Sequence, residues 1–272
     1  ASTLKENNYT TAFFHGGYNG TMGFDNFTRK VGYDYYYGMN EYNNKKDYDG
    51  NWGIFDEPYL QYCIKQIDTL TKPFHAAFFT LSSHHPYAMP EEHKNKFSKG
   101  TLIVHETVSY TDYALKRFFN EASKCDWFEN TLFLITSDHS GLTESKDFKT
   151  QLGLFKIPMI IYHPKMKSNI VSTQFVQQID VYPTIIDMLN IENEKIFTFG
   201  RSPFSEKEKY YIYYTNGEYL LMIGNYLSKY KQDGTIELFD VEKDQTLKNN
   251  IANQQQEITK KHIRFTQAFI QQ

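Results

Sequence analysis

Cysteine is scarce in this 272-residue chain: Cys63 and Cys125 stand far apart, with no paired-cysteine motif. That excludes a disulfide framework and a cysteine-built zinc module, and gives both residues structural roles. Positive charge is not concentrated either. The net charge is −3 and no basic run stands out, which argues against nucleic acid as a partner, since backbone phosphates demand a dense cationic patch. No stretch approaches the roughly 18 to 20 apolar residues of a membrane span, so no transmembrane segment is expected in this chain. No secretory leader or internal repeat is visible, and the compartment and oligomeric state are not written in these residues. What the chain does have is 40% hydrophobic residues, 22% charged residues and a 17% aromatic share with 22 Tyr and 22 Phe. Tyrosine at that level suits walls that are apolar on one side and wet on the other, with core packing for most of the rings. The length fits one large α/β domain or a domain with a small appendage.

Short apolar runs alternate with helical spacing over the first two thirds, as in a mostly parallel sheet covered by helices. Strands are expected at Thr10 to Phe14, Phe74 to Leu81, Thr131 to Thr136 and Pro158 to Tyr162. Helices are expected at Pro58 to Leu70, with Asp56 and Glu57 favouring its N-terminus, and at Val108 to Ala122 and Asp180 to Leu189. Beyond about residue 205 the texture changes to antiparallel strands at Tyr210 to Tyr214, Tyr219 to Ile223 and Ile236 to Asp240. Turns at Asn216-Gly217 and Asp233-Gly234 join them, and an amphipathic helix at Ile258 to Gln271 closes the chain. The organisation expected is a main α/β layer over 1–204 and a small antiparallel subdomain with a terminal helix over 205–272.

In an open parallel sheet, ligands gather beyond the carboxyl ends of the strands. Three expected strands deliver chemistry there: His15, then His84 and His85, then Asp138 and His139. A single histidine after a strand is usually an ordinary core or surface residue, but three such ends along one rim suggest a site. Adjacent residues in a strand point to opposite faces. Asp138 and His139 can therefore share a metal only if the chain turns at once, and Ser140-Gly141 offers that turn. A carboxylate beside an imidazole suits Mn²⁺ or Zn²⁺, with Mg²⁺ possible on the oxygen side; the alternative is Asp138 capping the next segment. An imidazole N–H of His84 could donate to a phosphoryl or sulfuryl oxygen or to a leaving oxygen. The glycine-rich run Gly16 to Asp25 lacks the ending of a phosphate-binding Walker loop, and its glycines serve either a ligand or an ordinary loop. Trp52 is a candidate substrate wall, or a ring packing its loop onto the following helix.

At Ser137-Asp138-His139-Ser140-Gly141 the chain resembles the sulfatase and alkaline phosphatase superfamily, where Ser-Asp-His-Gly follows a central strand. Ser109 to Leu115, Ile157 to Tyr162, Gln178-Ile179-Asp180-Val181-Tyr182-Pro183-Thr184 and Leu238-Phe239-Asp240-Val241 agree in order and spacing. Phe14-His15-Gly16-Gly17 and Ser83-His84-His85-Pro86-Tyr87 look most like the lipoteichoic acid synthase branch. The resemblance implies an alkaline phosphatase-like fold and transfer of phosphoglycerol from a lipid to a polymer. It also implies a threonine nucleophile, one divalent metal ion, and a membrane-anchored parent with its catalytic domain outside the cytoplasm. The metal would be Mn²⁺, with Zn²⁺, Mg²⁺ or Ca²⁺ as alternatives.

By the same resemblance Asp138 and His139 are metal ligands, and His84 holds the transferred group. His15, Asn19, Asp25, His85 and Trp52 are then the substrate-facing candidates, for a phospholipid- or glycan-type headgroup. The branch carries Trp and Arg shortly after its His-Gly stretch, where this chain has Gly23 and Asp25. The family's nucleophile and first metal carboxylate would precede residue 1, so the chain is expected to be the C-terminal part of a catalytic domain, to hold metal weakly and to be inactive alone. Sulfate-ester hydrolysis and a non-catalytic glycan- or headgroup-binding relative are the competing readings. The Cys-x-Pro-Ser-Arg signature of true sulfatases is missing around both cysteines.

Overall fold

The structure is a computed structural model that describes residues 1–271 apart from 168, 170, 173 and 193–197. It divides into two compact units, Ala1–Phe133 with Ile161–Met166, and Leu134–Ile160 with Lys167–Gln272. The first contains helices α1 (Ser2–Glu6), α2 (Phe24–Lys30), α3 (Met39–Tyr42), α4 (Asp56–Asp68) and α5 (Val104–Ala122), and strands β1 (Thr10–His15), β2 (Tyr35–Tyr37) and β3 (Phe74–Phe79). These strands form a parallel sheet in the order β2-β1-β3, with Ala12 opposite both Tyr35 and Ala76. Its central strand is buried on both faces, with Thr11, Ala12, Phe14 and His15 all enclosed.

Helix α4 buries Tyr59, Leu60, Cys63, Ile64 and Ile67, the stripe expected of a helix lying on a sheet. It starts at Asp56 rather than Pro58, because the first turn of a helix has no N–H partners to lose and accepts a proline. Helix α5 buries Thr107, Tyr110, Ala114, Phe118 and Ala122. Ala114 and Ala122 are fully buried within the same core cluster as α4. The Asp68 carboxylate accepts the indole N–H of Trp127 at 2.7 Å, tying the end of α4 to the segment after α5.

Strands β4 (Phe133–Thr136) and β5 (Met159–Tyr162) pair with each other, and helix α6 spans Val181–Met188. In the second unit β6 (Tyr210–Thr215), β7 (Glu218–Ile223), β8 (Tyr226–Lys231) and β9 (Ile236–Asp240) form an antiparallel meander, and α7 (Gln256–Ile270) follows. Asn216 and Gly217 turn β6 into β7 with φ of 50° and 82°, the backbone that a two-residue hairpin requires. The sheet is apolar on both faces: Leu220, Met222, Leu227 and Phe239 form one cluster, while Ile212, Leu221 and Ile223 form another with Phe265 and Phe269 of α7.

The chain is thus mixed α/β, with a parallel sheet, a small antiparallel sheet and a closing helix. The expected strand ends do not, however, share one sheet: β1 and β3 are parallel neighbours, whereas β4 pairs with β5 among the described residues. Alternation along a sequence identifies strands but does not say which strands are partners.

Candidate active site

His15, Asn19 and Asp25 follow β1, but they have different surroundings. His15 is 2% exposed, packed against Phe24 and Phe79, with Nδ1 3.3 Å from the Tyr36 hydroxyl. Burial lowers its pKa to about 4, so the ring is neutral near pH 7. Asn19 and Asp25 line a cavity of about 260 Å³ together with Arg29, Tyr36 and Glu41. The amide of Asn19 donates to both Glu41 carboxylate oxygens at 3.1 and 3.0 Å, and Asp25 pairs with Arg29 at 2.9 Å. Tyr36 is the link, since it lines the cavity and also meets His15.

The glycines of this stretch make room for backbone. Gly17 bridges Gly53, and a Cβ on Gly17 would stand 2.6 Å from the His15 ring. That contact docks the segment after β1 onto Trp52-Gly53, and Trp52 belongs to a second group with His84 and His85. His84 follows β3 on an exposed turn, and its Nδ1 lies 2.8 Å from the His85 carbonyl oxygen. A carbonyl only accepts, so Nδ1 carries a proton and Nε2 is the free nitrogen. Nε2 therefore donates when the ring is cationic and accepts when it is neutral. The indole N–H of Trp52 donates to the same carbonyl at 2.6 Å, and its ring lies 4.2 Å from that of His84. The His85 ring touches Tyr87.

One residue that sequence reading treated only as a helix-start acid supports this turn. Asp56 is 2% exposed and accepts hydrogen bonds from the Leu81 amide at 2.8 Å, the Ser82 amide at 3.2 Å and the Thr111 hydroxyl at 2.8 Å. Its own amide donates to Ser82 Oγ at 2.9 Å. Burial pushes its carboxyl pKa up, against the opposing pull of those bonds. The signal was a carboxylate at a helix N-terminus, which sequence reading assigns to the helix dipole.

Asp138 and His139 lie in the second unit, on a bend beyond β4. The chain bends at Asp138 and His139 themselves and not at Ser140-Gly141 as expected, and the two side chains stand together, with Asp138 Oδ2 and His139 Nε2 3.4 Å apart. His139 Nδ1 lies 2.7 Å from the Ser140 carbonyl, so Nδ1 is the donor and Nε2 keeps its lone pair. A histidine ligand commonly donates its other N–H to a carbonyl in this way. A carboxylate oxygen and an imidazole nitrogen are donor types that a divalent ion takes, so these two residues could hold one. Both side chains are solvent-accessible, at 57% and 72%. Among the described residues there is no group of three or more His, Cys, Asp or Glu side chains that could hold a metal. Gln178, unassigned from sequence, donates to the carbonyls of Ser137 and Asp138 at 3.1 and 2.5 Å and holds the bend.

An α/β chain with an Asp-His pair after one strand and a tethered histidine after another fits the alkaline phosphatase class, and the Sulfatase family model matches residues 1–191. The chain belongs to the Sulfatase family. It is 28% identical over 229 residues to lipoteichoic acid synthase 1 of Bacillus subtilis (strain 168), covering 78% of this chain and 36% of that protein. It is 24% identical to lipoteichoic acid synthase of Staphylococcus aureus (strain USA300), covering 78% and 35%. The chain thus spans about a third of the length of these relatives.

Among solved structures, an alkaline phosphatase superfamily protein from Vibrio parahaemolyticus matches with a TM-score of 0.74 and 23% identity, over 89% of this chain and 60% of that one. The lipoteichoic acid synthase LtaP from Listeria monocytogenes matches with a TM-score of 0.70 and 17% identity, over 99% and 72%. These likenesses show the fold. Among the described residues no helix is long and apolar enough to cross a membrane.

Proposed function

We propose that this chain supplies part of a divalent-metal-dependent active site that transfers or hydrolyses a phosphorus ester on a lipid- or glycan-linked headgroup such as phosphoglycerol, outside the cytoplasm. The observation that carries the reading is the Asp138–His139 pair, whose donor atoms stand 3.4 Å apart while Nδ1 of the histidine is committed to Ser140. Asp138 and His139 would hold the ion, with Mn²⁺ the favoured occupant. A bound divalent ion would supply Lewis-acid chemistry, activating a hydroxyl and offsetting phosphoryl charge. In the first unit, His84 offers Nε2 for proton chemistry: a cationic ring can donate to a phosphoryl or leaving oxygen, and a neutral ring can accept a proton. Asn19 and Asp25, through their cavity, are the headgroup candidates, with His15 behind them holding Tyr36.

The test uses the enzyme that carries this chain, with Mn²⁺ titration and turnover of a chromogenic phosphodiester. Asp138→Asn and His139→Gln are expected to weaken Mn²⁺ binding by more than about 100-fold. His84→Gln is expected to leave Mn²⁺ binding intact and lower kcat by roughly 10² to 10⁴. Unchanged metal affinity in both Asp138 and His139 variants would sink the assignment. Sulfate-ester hydrolysis is the second reading, favoured by the family match; turnover of an aryl sulfate in preference to the phosphodiester would select it.

A further inference from the structure

We propose that Trp52 is a positioning residue that fixes the tautomer and orientation of His84, rather than a wall against which substrate packs. The inference rests on the role given to His84 above. The His85 carbonyl has two lone pairs, and both are in use: one accepts Trp52 Nε1–H at 2.6 Å and the other His84 Nδ1–H at 2.8 Å. The two donors share one acceptor, so the tryptophan holds in place the group that holds the histidine. Two donors at one oxygen compete for its electron density, so the indole acts by holding the direction of the carbonyl and not by strengthening the second bond.

The indole also lies beside the imidazole, with centroids 4.2 Å apart and planes at 57°. His84 is exposed and would otherwise exchange rotamers and tautomers freely. The indole N–H is spent inside the protein and is not available to a ligand. Trp52 itself sits on a rigid loop: the Asp49 carboxylate accepts the amides of Asn51, Trp52 and Gly53 at 2.7, 2.8 and 3.1 Å, and Gly53 bridges Gly17. The consequence is chemical. With the proton pinned on Nδ1, Nε2 is the atom offered outward, and the proton exchanged with a reacting group passes through that single nitrogen.

The experiment is ¹⁵N NMR of the imidazoles in the 272-residue chain, wild type against Trp52→Phe, which keeps an aromatic ring and loses the N–H. Neutral His84 in the wild type is expected to carry its proton on Nδ1. In the variant the freed carbonyl can turn away from His84, and the Nδ1–H to Nε2–H ratio is expected to fall, by roughly five- to tenfold where the His84 bond is lost with it. The His262 signal, which reports on the fold of the second unit, should stay in place. A wild-type His84 protonated on Nε2, or a ratio unchanged by Trp52→Phe, overturns the proposal. In the active enzyme the same variant should lower kcat with little change in KM; a raised KM with an unchanged tautomer would make Trp52 a substrate contact and overturn it as well. If the tautomer shifts as expected while His84→Gln leaves turnover intact, the clamp stands and the functional reading fails.

Discussion

Asp56 shows how one side chain can organise a site it does not enter. Its carboxylate gathers two backbone amides of the segment after β3 and a hydroxyl from α5 at a position 2% exposed to solvent. Asp56→Ala would leave those buried donors without an acceptor, a cost of roughly 3–5 kcal/mol. Asp56→Asn, which keeps one acceptor oxygen, should cost less. Urea unfolding measures both, and a loss below about 1 kcal/mol for the alanine would show that water replaces the carboxylate. This role was not legible beforehand. An acid before Pro58 is a familiar helix start, and nothing local says that its oxygens face Leu81, Ser82 and Thr111. By contrast, a change of direction near Asp138-His139 was legible from the residues that follow, although the bend falls on the pair itself and not at Ser140-Gly141.

At the scale of elements, local pattern and tertiary pairing part company. Helix α4 and the hairpin turn at Asn216-Gly217 are written in short stretches of sequence and were readable from spacing and turn chemistry. Strands β2 and β8 were not: Tyr35–Tyr37 is too short to show a period, and β8 carries Ser228, Lys229 and Lys231 among its apolar residues. Ser228 is nevertheless fully buried, because strand neighbours on both sides and the His262 ring at 2.9 Å supply its surroundings. Which strand ends share a sheet was likewise beyond the sequence, since pairing is decided by contacts remote in the chain. The docking of the segment after β1 onto Trp52-Gly53 depends on such a contact. A Cβ on Gly53 would stand 2.5 Å from the Gly16 carbonyl oxygen and 2.6 Å from Leu81. Gly53→Ala should therefore cost about 1–3 kcal/mol. Gly141→Ala, where an added Cβ meets nothing within 4 Å, should stay within about 0.5 kcal/mol. Equal midpoints for the two variants would refute the close-packing account.

For the whole molecule, buried neutral histidines set the response to acid. His15 in the first unit and His262 in the second are 2% and 1% exposed. Burial lowers each pKa from 6.5 to about 4, and desolvation is the leading cause for both. Above pH 6.5 the rings are neutral whether the chain is folded or not, so they contribute no pH dependence. As pH falls from 6.5 towards 4, the unfolded chain takes up protons that the folded chain refuses, and stability drops. At about 1.4 kcal/mol for each pKa unit, each histidine removes up to about 3 kcal/mol by the lower end of that window. Urea unfolding at about pH 7 and at about pH 4.5 should show this loss, with a slope set by proton uptake on unfolding. His262→Gln lowers stability near pH 7 by disturbing the Ser228 contact, yet it removes one titrating group and should flatten the decline between the two pH values. An equally steep decline in that variant would mean that His262 is protonated in the folded chain, and its neutral, buried state would have to be abandoned.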